Sequence, residues 1–228
     1  MITIENLSVG YTQGVRVIDS LSITLNTGLV HGMVGLNGAG KTTLLSAIYE
    51  LRKAFTGKVL LNGEPIHRWM MAFLPTESYF YPNITGEEYL NLFKGTPFDT
   101  KGWNTLFRVP LTELIETYSS GTRKKLAIMG VIKQGKPIMI LDEPFNNLDM
   151  EACSVIMQVL QRMSQQGVTI IITSHIIQTL TNLCDFIHYL EGGRITYSRP
   201  RADFEMFEGE LLASIATRNQ KAIEELLG

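Results

Sequence analysis

Short apolar runs separated by glycines open the chain. They cover residues 2–9, 15–18, 21–25, 29–34 and 58–61, with glycines at 10, 14, 28, 57 and 63 between or beside them. This pattern predicts short strands joined by turns. Between 85 and 133 the spacing becomes helical: Glu87-Glu88-Tyr89-Leu90-Asn91-Leu92-Phe93 and 111–117 predict helices, with Gly95-Thr96-Pro97 as a break. Beyond it, predicted strands at 138–141, 169–173, 186–190 and 194–197 alternate with predicted helices at 151–166 and 178–183. Strands alternating with helices imply a parallel sheet and an α/β fold. The expected organisation is one domain over 1–228, with a helical insert at about 78–134 and a short helical tail at about 204–228.

Composition narrows the classes. A hydrophobic share of 45% supports a substantial core. Twenty basic against twenty-two acidic residues leave a net charge of −2, which gives no global field for a polyanion and disfavours nucleic acid as a partner. Cys153 and Cys184 are too far apart for a CxxC or Cys/His cluster, so two reduced, buried thiols are expected. No apolar run approaches the roughly 18–20 residues a membrane span needs. The start, Met1-Ile2-Thr3-Ile4-Glu5, has no secretory-signal pattern, so a cytoplasmic location is expected.

The strongest chemical signal is Gly35-Leu36-Asn37-Gly38-Ala39-Gly40-Lys41-Thr42, a GxxxxGK[ST] loop between an apolar strand and a helical run starting at Thr43. Glycines let backbone N–H groups turn inward around phosphates, and the helix start adds its positive end. Lys41 would meet the β- and γ-phosphates, and Thr42 would ligate Mg²⁺. The loop leaves ATPase, kinase and GTPase open.

Two further segments matter. Pro137-Ile138-Met139-Ile140-Leu141-Asp142-Glu143 is an apolar strand that delivers two carboxylates to the sheet edge where α/β proteins bind ligands. Asp142 suits Mg²⁺, and Glu143 suits a general base for an attacking water. Before it, Tyr118-Ser119-Ser120-Gly121-Thr122-Arg123-Lys124-Lys125-Leu126 opens a helix that Ser119 or Ser120 can cap. Read alone, each has a bland meaning, a turn entering solvent and an ordinary capped helix.

Taken in order, phosphate loop, YSSGT, Asp142-Glu143, Asn146-Asn147-Leu148-Asp149 and a strand ending at His175 resemble the ABC-type ATPases from about Tyr11 to Tyr197. The resemblance implies a P-loop NTPase (RecA-like) core with an antiparallel β-subdomain and an inserted α-helical subdomain. It implies ATP and Mg²⁺ as cofactors, bound by Gly35, Asn37, Gly38, Ala39, Gly40, Lys41, Thr42 and Thr43, with Tyr11 and Val17 against the adenine. Ser119, Ser120, Gly121 and Thr122 would serve the nucleotide of a second cassette, Asn146 to Asp149 would form the D-loop between sites, and His175 would hold the γ-phosphate and water beside the base Glu143.

The pattern departs from the family in places. Thr76 stands where the Q-loop glutamine is expected, so Thr76 or its neighbour Glu77 would have to approach the metal. Ser120 and Thr122 replace the usual glycine and glutamine of the signature, and Phe145 and Asn147 deviate from the common D-loop. The implied partners are a transmembrane permease on a separate chain and a second cassette, identical or different, with the protein peripheral on the inner face of the membrane and an export role favoured. The alternatives are a soluble ABC protein using ATP as a binding switch, and a subunit that binds nucleotide without turnover. The interval 43–118 has no room for the coiled coil of chromosome-maintenance ATPases.

Overall fold

The computed structural model describes residues 1–11, 15–95, 97–205, 209 and 226. Strands β1 (Ile2–Gly10) and β2 (Arg16–Leu25) come first, and β3 (Val30–Val34) leads into helix α1 (Lys41–Ile48). Next are β4 (Thr56–Leu61), β5 (Glu64–Pro65) and β6 (Met71–Leu74), followed by α2 (Gly86–Asn91), α3 (Thr100–Phe107) and α4 (Ser120–Lys133). Then come β7 (Ile138–Leu141), α5 (Met150–Gln165), β8 (Thr169–Thr173), α6 (Ile177–Leu183), β9 (Phe186–Glu191) and β10 (Arg194–Pro200). The expected tail at 204–228 lies almost wholly outside the described residues.

Two sheets form. The smaller is antiparallel, in the order β2-β1-β4-β5, and the larger runs β10-β9-β3-β8-β7-β6. In the larger sheet β9, β3, β8, β7 and β6 are parallel and β10 pairs antiparallel at the edge. Alternate residues of its central strands enter different cores, as the two-residue period of a strand requires. Met139, Leu141, Ile170 and Ile172 face one core, which also takes Tyr89, Leu90, Phe107 and Leu126 from the helical region. Ile138, Ile140, Ile171 and Met33 face the other, which takes Leu44, Leu45 and Ile48 of α1 and Ile2, Ile4, Leu7 and Val9 of β1. The α/β expectation therefore holds, and the large sheet is the wall between the two cores.

Three local expectations change. The strands expected at 15–18 and 21–25 are one strand, β2, whose pairing with β1 shifts register between Ile18 and Leu21. Ser20 has φ 52°, so the strand bulges there, and the apolar period restarts on the other side. No helix forms over 111–117 apart from a single 3₁₀ turn at Ile115–Thr117. That segment gives its backbone to its neighbours instead: Leu111 O accepts from Glu87 N (2.9 Å), and Ile115 N donates to Ile84 O (3.0 Å). Conversely α3 was not foreseen. Its sequence TKGWNTLF is weak in helix formers, and the Asp99 carboxylate starts it by accepting from Gly102 N at 3.0 Å. Of the cysteines, Cys184 is buried but Cys153 is only half-buried.

A buried polar chain crosses the large sheet between β3 and β9. His31 Nε2 lies 2.8 Å from the Asn26 carbonyl, which can only accept, so that nitrogen carries the proton. His31 Nδ1 then accepts from His188 Nε2 (3.1 Å), and His188 Nδ1 accepts from the Ser198 hydroxyl (2.7 Å). Burial depresses both imidazole pKa values, that of His188 to about 3, so both rings are neutral.

Candidate nucleotide site

The site lies at the carboxyl ends of β3, β7 and β8, where open α/β sheets bind ligands. A cleft of about 480 Å³ gathers Tyr11, Val17, Asn37, Gly38, Gly40, Lys41, Thr42, Thr43, Thr76, Asp142, Glu143, Asn146 and His175. Nearly every residue expected to act within one subunit is among them.

The phosphate loop turns from β3 into α1 through left-handed backbone at Gly38 (φ 81°) and Gly40 (φ 102°). Gly40 is doubly constrained, because a Cβ there would also stand 2.8 Å from Ile18 Cδ1. Lys41 is 9% exposed, and its ammonium folds back on its own loop, donating to Gly35 O at 2.7 Å and Leu36 O at 3.3 Å. Burial lowers its pKa, opposed by the charges of Glu143 and Asp142.

Asp142 is 1% exposed, and each carboxylate oxygen accepts from a threonine hydroxyl, Thr173 at 2.6 Å and Thr76 at 2.7 Å. Thr173, at the end of β8, also accepts from Glu143 N at 2.9 Å, so one hydroxyl orients both acids. Sequence reasoning missed this residue, since a threonine ending an apolar strand carries no local mark. Glu143 has φ 49°, a region uncommon for a non-glycine residue. Its Oε2 accepts from His175 Nδ1 at 2.9 Å and from His175 N at 3.3 Å. The histidine thus donates from Nδ1, and its side chain is 55% exposed at the cleft.

Of Thr76 and Glu77, Thr76 lines the cleft and its hydroxyl donates to Asp142, and Glu77 is not among the lining residues. Tyr11 is 65% exposed, with Arg52 Cζ 4.2 Å from its ring centroid on one face and its hydroxyl 3.5 Å from Thr43 Oγ1. The donors here suit a hard cation. Thr42 and Asp142 offer oxygen only, and the described residues contain no cluster of three His, Cys, Asp or Glu that would bind a metal alone. Mg²⁺ fits such a place, since it takes one or two protein oxygens and completes its shell with phosphates and water.

The signature residues lie outside this cleft. Ser119 caps α4, its Oγ accepting from Thr122 N at 3.1 Å, so of the two candidate serines it is Ser119 that caps. Ser119 and Ser120 are exposed, and Gly121 and Thr122 are half-buried. A Cβ on Gly121 would sit 2.6 Å from Asn147 O, which places the helix start directly against the 146–149 loop. In that loop Asn147 has φ 65°, and Asp149 caps α5 by accepting from Ala152 N at 2.7 Å. Phe145, unusual for a D-loop, is buried in the sheet–helix core at 6% exposure.

A second functional candidate that sequence reasoning passed over is Lys124, 6% exposed on α4, whose Nζ donates to Thr76 O at 2.7 Å. Burial lowers its pKa against the charges of Asp142, Glu143 and Glu77. A signal was present: Lys124 lies three and four residues before the buried Ala127 and Ile128, on the apolar face of the helix.

Comparison with known proteins agrees with this geometry. The family profile described as ABC transporter matches residues 18–146. YtrB of Bacillus subtilis, an ABC transporter ATP-binding protein, is 26% identical over 207 residues, covering 86% of this chain and 70% of the relative. LnrL of the same organism, a linearmycin resistance ATP-binding protein, is 27% identical over 212 residues, covering 86% and 68%. A solved structure of the ATP-binding subunit of an ABC transporter superposes with a TM-score of 0.83 at 25% identity, over 92% of this chain and 93% of the other. The dimeric structure of MJ0796, a bacterial ABC transporter cassette, superposes with a TM-score of 0.79 at 20% identity, over 88% and 99%, a likeness of fold. With the profile running over more than half its length, this chain belongs to the ABC transporter family, and its two-sheet P-loop fold is that of the family's ATP-binding ATPase cassette.

Proposed function

We propose that this cassette binds ATP in the cleft at Lys41, pairs with a second cassette whose counterparts of exposed Ser119 and half-buried Gly121 close over the γ-phosphate, and hydrolyses the nucleotide to drive a separate membrane-spanning permease. The observation that carries this reading is the division of the surface. The phosphate loop, Asp142, Glu143 and His175 converge on one cleft, while Ser119 and Ser120 stand exposed outside it, where they can serve the nucleotide of a partner subunit.

Within the cleft, Lys41 and the N–H groups at the start of α1 bind the phosphates and offset their charge. A magnesium ion held by Thr42 and Asp142 would add its own charge to that neutralisation. Glu143, oriented by His175 and by the Thr173 hydroxyl on its backbone, takes the proton of the attacking water. Phosphoryl transfer asks chiefly for positioning and electrostatics, and the burial of Asp142, Lys41 and Lys124 supplies a low-dielectric setting for both. No helix among the described residues is long and apolar enough to cross a membrane; the separate permease and the peripheral location beside it take their support from relatives named as ATP-binding proteins. An export direction takes its support from the relative named for linearmycin resistance.

The test is association. Glu143→Gln with ATP and Mg²⁺ should sediment as a dimer that ADP does not produce. A monomer under all nucleotide conditions, alone and with a copurified cassette partner, refutes the shared site.

A further inference from the structure

The geometry points to Lys124 as a positioning residue that ties the signature-bearing helix α4 to the metal-site carboxylate Asp142 through Thr76. This rests on the nucleotide-site reading above and goes beyond it. Asp142 is oriented from two sides. Thr173 belongs to the central strand β8 and is 0% exposed, so its hydroxyl is fixed by the core of the sheet. Thr76 lies beyond the end of β6, exposed and outside regular structure. The ammonium of Lys124 donates to the Thr76 carbonyl at 2.7 Å from helix α4, which packs beside β6 in the same core.

A buried ammonium is a demanding anchor. Breaking its bond strands a desolvated charge, so the lysine and the carbonyl move together or at considerable cost. The same helix starts at Ser119 and presses Gly121 against the carbonyl of Asn147, next to Asn146 in the cleft. Helix α4 therefore reaches the site by two routes, one through the 146–149 loop and one through Lys124, Thr76 and Asp142. A displacement of α4 when a second cassette engages Ser119 is transmitted along the latter route as a change in how Asp142 presents its oxygens to the metal.

The test is a Mg²⁺ titration of binding to a fluorescent ADP derivative by the full chain, with an EDTA control and melting temperatures. In Lys124→Met the affinity in EDTA should stay within about twofold of the unsubstituted protein, whereas the Mg²⁺ concentration at half-effect should rise about tenfold, or ~1.4 kcal/mol. Thr76→Val should give a similar rise, and the double variant no further rise, because both break one route. Lys124→Gln keeps an N–H donor and should recover part of the effect, and it and Thr76→Val carry the test if Lys124→Met fails to fold. An unchanged Mg²⁺ dependence with a lowered melting temperature overturns the positioning role and leaves a structural lysine. Additive effects in the double variant overturn the Thr76 route. Failure of the unsubstituted protein to bind the probe with or without Mg²⁺ overturns the nucleotide site itself, and the inference with it.

Discussion

Two buried lysines flank the acids Asp142 and Glu143, and they are held in opposite ways. Lys41 bonds to carbonyls five and six residues back on its own loop. Lys124 bonds to a carbonyl 48 residues back, across the fold. The first contact is a property of a short motif, so it exists wherever the loop folds. The second exists only once β6, the segment after it and α4 have packed together. One side of the cleft is therefore locally determined, and the other reports the relative position of two parts of the molecule. A site that must hold nucleotide firmly and yet sense a partner gains from having one wall of each kind.

Neutralising the acid between the lysines should have the largest effect. Glu143→Gln is expected to lower kcat by about 10²- to 10⁴-fold, the usual range for loss of a general base, with ATP affinity nearly unchanged. Phosphate release near the unsubstituted rate would show that the cleft between the two lysines is not where water is activated. Lys41→Ala should come next, weakening nucleotide binding by about a hundredfold, as expected for lost charge-assisted bonds to phosphate. With Lys41 acting on the phosphates themselves, as proposed, this loss should be equally large in EDTA, whereas Lys124→Met should be almost silent there. Equal behaviour of the two variants without metal would erase the distinction between the walls.

A smaller effect tests the junction of α4 with the 146–149 loop. Gly121→Ala brings a methyl to 2.6 Å from Asn147 O, and a backbone carbonyl cannot yield as a side chain would. Hydrolysis should fall about tenfold, the result of a shift of the helix start costing on the order of 1–3 kcal/mol, while binding of ATP to a single subunit is kept. Unaltered turnover would mean that the contact is slack.

The same contrast governs what the sequence revealed. The strand, glycine loop and helix around Lys41 were legible because each step is a short-range rule: apolar run, positive-φ glycines, helix start. The pairing of Asp142 and Glu143 with that loop was legible from the order of the motifs, since two acids after an apolar strand read alone as a turn entering solvent. Thr173 was not, since its meaning comes from pairing of β8 with β7, and Lys124, though its spacing to Ala127 and Ile128 put it on the apolar face, has its partner carbonyl 48 residues away in sequence. The helical region suffered most. Residues 111–117 look helical by spacing, yet the Leu111 and Glu113 carbonyls accept from the start of α2 and the Ile115 amide donates to Ile84, two residues before that helix. Helix α3 has poor propensity, yet forms on an aspartate cap, with Phe107 buried at its end in the core shared with the sheet. In both cases tertiary contacts overrode the local pattern.

The smallest predicted effect asks whether the Lys41 wall has a weakness of its own. His31 and His188 lie on β3 and β9, and β3 is the strand that feeds the phosphate loop. In the folded chain burial keeps both imidazoles neutral, opposed on His31 by the hydrogen bond to the Asn26 carbonyl and then by the charge of Asp185. In the unfolded chain each histidine takes a proton near pH 6.5, so below that pH the unfolded state binds more protons and stability falls. The contribution is complete above about pH 6.5 and declines as the pH drops, for His188 down to its folded value of about 3. At pH 5.5 the loss from His188 is about 1 kcal/mol. Urea unfolding at pH 7.5 and 5.5 should show the drop, and His188→Gln, which cannot titrate, should reduce it. The contrast sharpens if hydrogen exchange at pH 5.5 rises first in β3 and β9, before α4. A midpoint that is unchanged or higher at pH 5.5 would mean that the two rings already share a proton when folded, and that acid does not loosen the strand beneath Lys41.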